Sequence, residues 1–202
     1  MRLSKLALAL ASLALAGPAP AHDHAHMQQI EAGKPLSGAS VYNLSSVWTD
    51  QDGKSVSLES LRGKKIVLAM AYTGCKDICP MIVANMVAIE NEVKNRKLAD
   101  IRFAFFSLDS AADTPARLKA YADERGLDPG DWTLYQGDAK AVRDLAAVLG
   151  VRYRADGRGG FDHAALITLL DEKGEIVFQQ PDTKLNAAEF VDRIQALAKA
   201  SR

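Results

Sequence analysis

The chain has 202 residues, and its 25 lysines and arginines are matched by 25 aspartates and glutamates, so the formal charge at pH 7 is zero. That balance argues against nucleic acid or an acidic membrane as the main partner. Only two cysteines are present, and a domain of this size buries roughly 70% of its unfolded surface, so it needs no disulfide staple.

The first residues read as a secretory signal. Arg2 and Lys5 make a positive start, Leu6 to Ala16 is an apolar stretch too short to span a bilayer easily, and Ala19-Pro20-Ala21 places small residues before a cleavage point after Ala21. An uncleaved membrane anchor is the alternative, and no following cysteine offers a lipid attachment point. The expected protein is exported, periplasmic and soluble, in a compartment where a cysteine pair can oxidise. Losing Arg2 and Lys5 leaves it slightly acidic.

Residues 22–40 are polar and rich in Gly, Pro and Ala, and read as a tail or linker. Val41 to Trp48 and Lys54 to Leu58 flank Thr49-Asp50-Gln51-Asp52-Gly53 and predict a hairpin. Lys65 to Tyr72 is a continuous apolar run with the look of a strand buried on both faces. After Cys79, Pro80 suits the first position of a helix, and Ile82, Val83, Met86, Ile89 and Val93 recur at helical spacing. Ile101 to Leu108 predicts a second buried strand, Thr114-Pro115 opens a helix that Gly126 stops, and Trp132 to Tyr135 predicts a short strand. Asp138 caps a helix ended by Gly150. Asp156-Gly157-Arg158-Gly159-Gly160 reads as a flexible loop. Two strands, Ala164 to Leu170 and Glu175 to Gln179, surround a turn, and Asn186-Ala187-Ala188-Glu189 begins the last helix like a capping box.

Strands alternating with helices predict an α/β sheet covered on both faces. A cysteine motif at a strand-to-helix junction, with a closing β-β-α unit, predicts a thioredoxin-like fold with an N-terminal β-hairpin extension over residues 41–202.

Both cysteines lie in Tyr72-Thr73-Gly74-Cys75-Lys76-Asp77-Ile78-Cys79-Pro80. If Cys79 caps the helix, both sulfurs approach its N-terminus, where backbone N–H groups and the dipole favour thiolate. His163 follows the glycine-rich loop, and Asp162 beside it is placed to orient the ring. Two thiols and an imidazole make a soft donor set that suits Cu(I), whereas zinc asks for four ligands, or three and water. The same residues serve thiol redox chemistry, and an inert disulfide is the bland alternative. Thioredoxin-type reductants carry C-x-x-C, with a proline where this chain places His163, and both differences favour metal. A thiol peroxidase would need T-x-x-C, but only Gly74 separates Thr73 from Cys75.

Three segments resemble the Sco/SenC family of copper-handling proteins. The cysteine segment is similar to that family's T-x-C-x-x-x-C-P motif, Ser107-Leu108-Asp109-Ser110-Ala111-Ala112-Asp113-Thr114-Pro115 to its S-[VL]-D-P-x-x-D-T-P segment, and Asp162-His163 to its D-H motif. The resemblance runs from about Val41 to the C-terminus. Ser110 stands where proline is usual and Ala164 where serine is common. The resemblance implies one copper, Cu(I) or Cu(II), held by Cys75, Cys79 and His163. It also implies a role in assembling the CuA site of cytochrome c oxidase, by delivering copper or by keeping the CuA cysteines reduced. The expected partners are the CuA-bearing subunit or another copper-protein client, and a copper-donor chaperone. The chain is expected to be a monomer. A metallochaperone, a thiol-disulfide oxidoreductase and a copper or redox sensor all remain as readings. Asp77 and Asp109 read as a solvated loop charge and a turn residue.

The remaining histidines are His22, His24 and His26, followed by Met27. Cleavage after Ala21 would give His22-Asp23-His24, whose free amine, two amide nitrogens and third-position imidazole can wrap Cu(II) in a square plane. The other reading is a His-rich tail with adventitious metal affinity.

Overall fold

The computed structural model describes residues 40–76, 78–181 and 184–200. The expected signal segment, the tail with His22, His24 and His26, and Asp77 lie outside the described residues. Along the chain come β1 (Val47–Asp50), β2 (Ser55–Ser57), β3 (Lys65–Ala71), α1 (Cys79–Asn95), β4 (Ile101–Ser107), α2 (Pro115–Glu124) and β5 (Trp132–Gly137). They are followed by α3 (Ala139–Leu149), β6 (Tyr153–Ala155), β7 (Phe161–His163), β8 (Leu166–Leu170), β9 (Ile176–Pro181) and α4 (Ala187–Ala200).

Seven strands form one mixed sheet in the order β2-β1-β5-β4-β3-β8-β9, and β6 and β7 form a separate ladder. The apolar run at Lys65 becomes the central strand β3. It is parallel to β4 on one side and antiparallel to β8 on the other, and all seven of its residues are buried. Burial of every residue requires cover on both faces.

Side-chain partners show which helix covers which face. Phe105 of β4 meets Tyr121 of α2, Trp132 beside Phe103 donates its indole N–H to Glu90 of α1 at 2.8 Å, and Phe178 of β9 meets Phe190 of α4. The register puts those strand residues on one face, with α1, α2 and α4 over it. On the opposite face Gln179 donates to Thr168 Oγ1 and to the Leu149 carbonyl at the end of α3, both at 2.9 Å. The expected hairpin is fused to this sheet. Trp48 pairs with Gly137 across β1 and β5 and packs edge-on against Phe106 at 4.8 Å. Any Cβ on Gly137 would lie 2.7 Å from the indole, which explains the glycine there.

The helix signals hold. Thr114 caps α2 by accepting the Arg117 N–H, Asp138 caps α3 by accepting the Ala141 N–H, and Gly150 closes α3 in the left-handed region at φ 69°. Asn186 Oδ1 accepts the Glu189 N–H at 3.2 Å, half of the expected capping box.

Two expectations change. The strand predicted from Val41 is shorter, because Val41–Asn43 is a 3-10 turn: Ser40 Oγ accepts the Tyr42 N–H, and Val41 N–H is drawn to the Gly174 carbonyl at 3.0 Å. The expected flexible loop is the turn of the β6–β7 hairpin. Asp156 Oδ1 accepts the N–H groups of Arg158 at 2.7 Å and Gly160 at 2.9 Å, which folds the glycines into a closed turn.

Candidate functional site

β3 ends at Ala71, whose carbonyl accepts the Leu108 N–H at 2.8 Å, so the chain leaves the sheet beside the end of β4. The loop that follows carries Cys75. Ile78 caps α1, taking the N–H groups of Met81 and Ile82 on its carbonyl, so Cys79 is the first helical residue and Pro80 the second. This corrects the expectation that Cys79 is the cap. Pro80 still sits in the first turn, where a missing N–H costs nothing.

Cys79 is buried and Cys75 only partly so. Cys79 N–H donates to Cys75 Sγ at 3.4 Å. Cys79 Sγ lies 3.3 Å from His163 Nε2, joining residues 84 positions apart in sequence. The ring is buried, and its Nδ1 lies 3.3 Å from the Ala164 carbonyl. A proton on Nδ1 satisfies that carbonyl and turns the Nε2 lone pair toward Cys79, the tautomer a soft-metal ligand needs. Asp162 does not orient the ring: its carboxylate pairs with Arg154 at 3.1 Å instead, because adjacent strand residues point to opposite faces.

The cysteine chemistry also differs from expectation. The hydrogen bond with Cys75, and then burial, push the Cys79 thiol well above its usual pKa, outweighing the backbone hydrogen bond from Tyr72. The Cys75 hydrogen bond and burial together therefore outweigh the helix terminus, and Cys79 rests as a thiol rather than the expected thiolate. Among the described residues no three His, Cys, Asp or Glu side chains stand together as a ready-made metal cage. Cys79 and His163 already touch, and the sulfur of Cys75 faces the helix N-terminus.

Tyr72 and Asp113 shape this site, although the sequence reading gave neither a role. Tyr72 is buried, its phenol oxygen accepts the Phe161 N–H at 3.2 Å, and desolvation raises its pKa to about 12. Asp113 is fully buried. Its carboxylate accepts the Thr73 N–H at 3.0 Å, the Thr73 hydroxyl, and the Ser107 hydroxyl at 2.6 Å, with the Arg117 guanidinium 3.6 Å away. It thereby ties the start of the cysteine loop to the end of β4. Asp113 lay inside one of the segments that carry the family resemblance, just before the Thr114-Pro115 helix start. Only the buried hydroxyls converging from two other segments reveal its job. Asp109 takes the turn role expected of it, accepting the N–H groups of Ala111 and Ala112.

Known proteins agree with this architecture. The SCO1 protein homolog of Bacillus subtilis is 28% identical over 131 residues, 63% of this chain and 67% of that protein. The chain spans 62% of the length of the SCO2-like protein of Rickettsia felis. Among solved structures, a SCO1/SenC family lipoprotein from Bacillus anthracis superposes with a TM-score of 0.72 at 25% identity, over 81% of this chain and 99% of that one. Bradyrhizobium japonicum ScoI, solved with copper bound, superposes with a TM-score of 0.59 at 28% identity, over 74% of this chain and 96% of that one. The SCO1/SenC family model matches residues 39–199. With the cysteine loop, the buried histidine and the sheet order already in place, that match across nearly the whole described fold means that the chain belongs to the SCO1/SenC family.

Proposed function

We propose that this protein is an exported copper chaperone that takes one copper on Cys75, Cys79 and His163 and supports assembly of the CuA site of cytochrome c oxidase. The contact between Cys79 Sγ and His163 Nε2 carries the reading, because it preassembles a sulfur and an imidazole from segments 84 residues apart. Copper is the cargo. Cys75, the more accessible sulfur, is the donor that meets incoming metal and releases it to a client, while Cys79 and His163 hold from below. Cys79 rests protonated, so copper displaces its proton on binding and affinity rises with pH. Three soft donors at a partly open site allow release by ligand exchange.

The half-buried and buried pairing of the cysteines also favours a second reading, reduction of client disulfides. There the Cys75 thiolate attacks a client disulfide and releases one client thiolate, which takes up a proton. The Cys79 thiol then loses its proton and displaces the second client sulfur as the Cys75–Cys79 disulfide forms. Two electrons pass to the client.

Copper titration of the reduced protein and of a Cys75→Ser/Cys79→Ser variant separates the two. The chaperone reading expects one tightly bound copper, with sulfur-to-copper charge-transfer absorption in the Cu(II) form, both absent from the double variant. Binding that ignores both cysteines would sink it and leave the reductase reading, measured on an oxidised CuA domain.

The leader over residues 1–21 is proposed to direct export to the periplasm, and His22, His24 and His26 to gather copper for the core. Deleting residues 22–27 is expected to slow loading of the core site at limiting copper; unchanged loading would remove that role from the tail.

A further inference from the structure

His163 is carried by the β6–β7 hairpin, which forms its own ladder outside the seven-stranded sheet. Something must place that hairpin against the cysteine loop. The Tyr72 hydroxyl accepts the Phe161 N–H at 3.2 Å and shares a hydrogen bond with Cys75. The Tyr72 ring meets Phe161 edge-on at 5.5 Å and His163 at 6.1 Å. The hairpin backbone closes tightly over this oxygen: a Cβ on Gly160 would stand 2.6 Å from it. Phe161 and His163 are two apart on β7, so they share a face, and fixing the Phe161 amide fixes the approach of the imidazole.

We infer that Tyr72 is a positioning residue for the metal centre, its hydroxyl latching the β6–β7 hairpin so that His163 Nε2 stays over Cys79 Sγ. A phenylalanine would fill the same core space, so the oxygen is the atom that separates a latch from simple packing. The inference rests on the three-donor copper reading, but part of its test does not.

The variant is Tyr72→Phe, measured three ways. In the metal-free protein, hydrogen exchange at the Phe161 amide is expected to accelerate about two- to tenfold, the worth of one neutral hydrogen bond. Unchanged protection would overturn the latch whether or not copper binds. In competition with a chromophoric Cu(I) chelator, Tyr72→Phe is expected to weaken binding by a similar factor, and unchanged affinity would overturn it. In a His163→Ala background the same substitution is expected to cost little, since the residue it serves is gone. An equal loss in both backgrounds would mean that Tyr72 acts through Cys75 or the fold at large, which also overturns the proposal. Gly160→Ala, whose Cβ would push the Tyr72 hydroxyl away without removing it, is expected to reproduce the copper effect. If the wild-type protein binds no copper through its cysteines, the chaperone reading fails, and the exchange measurement still decides the latch.

Discussion

Replacing Asp113 with alanine is expected to destabilise the reduced protein by about 3 kcal/mol, the cost of stranding the Thr73 and Ser107 donors that converge on a buried carboxylate and of losing its contact with the half-exposed Arg117 guanidinium. The carboxylate is inaccessible to solvent, so water cannot replace it for the Thr73 N–H or the Ser107 hydroxyl. Arg117 keeps only its hydrogen bond to Thr73 Oγ1, at 2.6 Å, in place of the joint Thr73–Asp113 clamp. In a domain of this size the loss corresponds to a melting-point drop of about 10 °C. Urea unfolding of Asp113→Ala beside Asp113→Asn checks the cause. Asparagine keeps one acceptor oxygen and the same shape, so it should recover part of the loss. A change below about 1 kcal/mol for alanine would show that the loop is anchored elsewhere. The effect also reaches the site, because Thr73 stands two residues before Cys75 and its position sets where the loop begins.

Replacing His163 with alanine is expected to weaken copper binding by at least about 100-fold. Loss of a supporting partner to a metal ligand typically costs ten- to a hundredfold, and loss of the ligand itself should cost no less. The two cysteines remain, and Cys75 Sγ keeps its contact with the Cys79 N–H, so the pair should still close into a disulfide when oxidised. Chelator competition for the reduced protein, with thiol counting after mild oxidation, reads both halves. Affinity unchanged from wild type would remove His163 from the ligand set. Loss of disulfide formation as well would mean that the imidazole serves thiol chemistry, for example as the base for Cys79, whose sulfur it faces at 3.3 Å.

Much of this protein follows from local sequence. The apolar run at Lys65–Tyr72, the Thr114-Pro115 and Asp138 caps and the Gly150 stop are each set by neighbours a few residues away, so the elements they predict are present within a residue or two. The two cysteines and His163 stood out in the sequence as candidates because few residue types bind soft metals. Three short segments in the right order carried the family resemblance that the full match over residues 39–199 bears out.

What sequence alone could not decide were properties that arise when distant segments meet. The Cys79 thiol follows its hydrogen bond with Cys75 and then burial, which outweigh the helix terminus that sequence suggested. Asp162 turned away from the histidine beside it because strand geometry, rather than adjacency, sets side-chain direction. The anchoring by Asp113 and the contact of the Tyr72 hydroxyl with Phe161 join residues 40 and 89 positions apart, and only the packed sheet brings them together. Composition and spacing thus singled out the residues proposed to bind copper. Burial and long-range hydrogen bonding decided which sulfur stays protonated, which is reachable and how the imidazole is held.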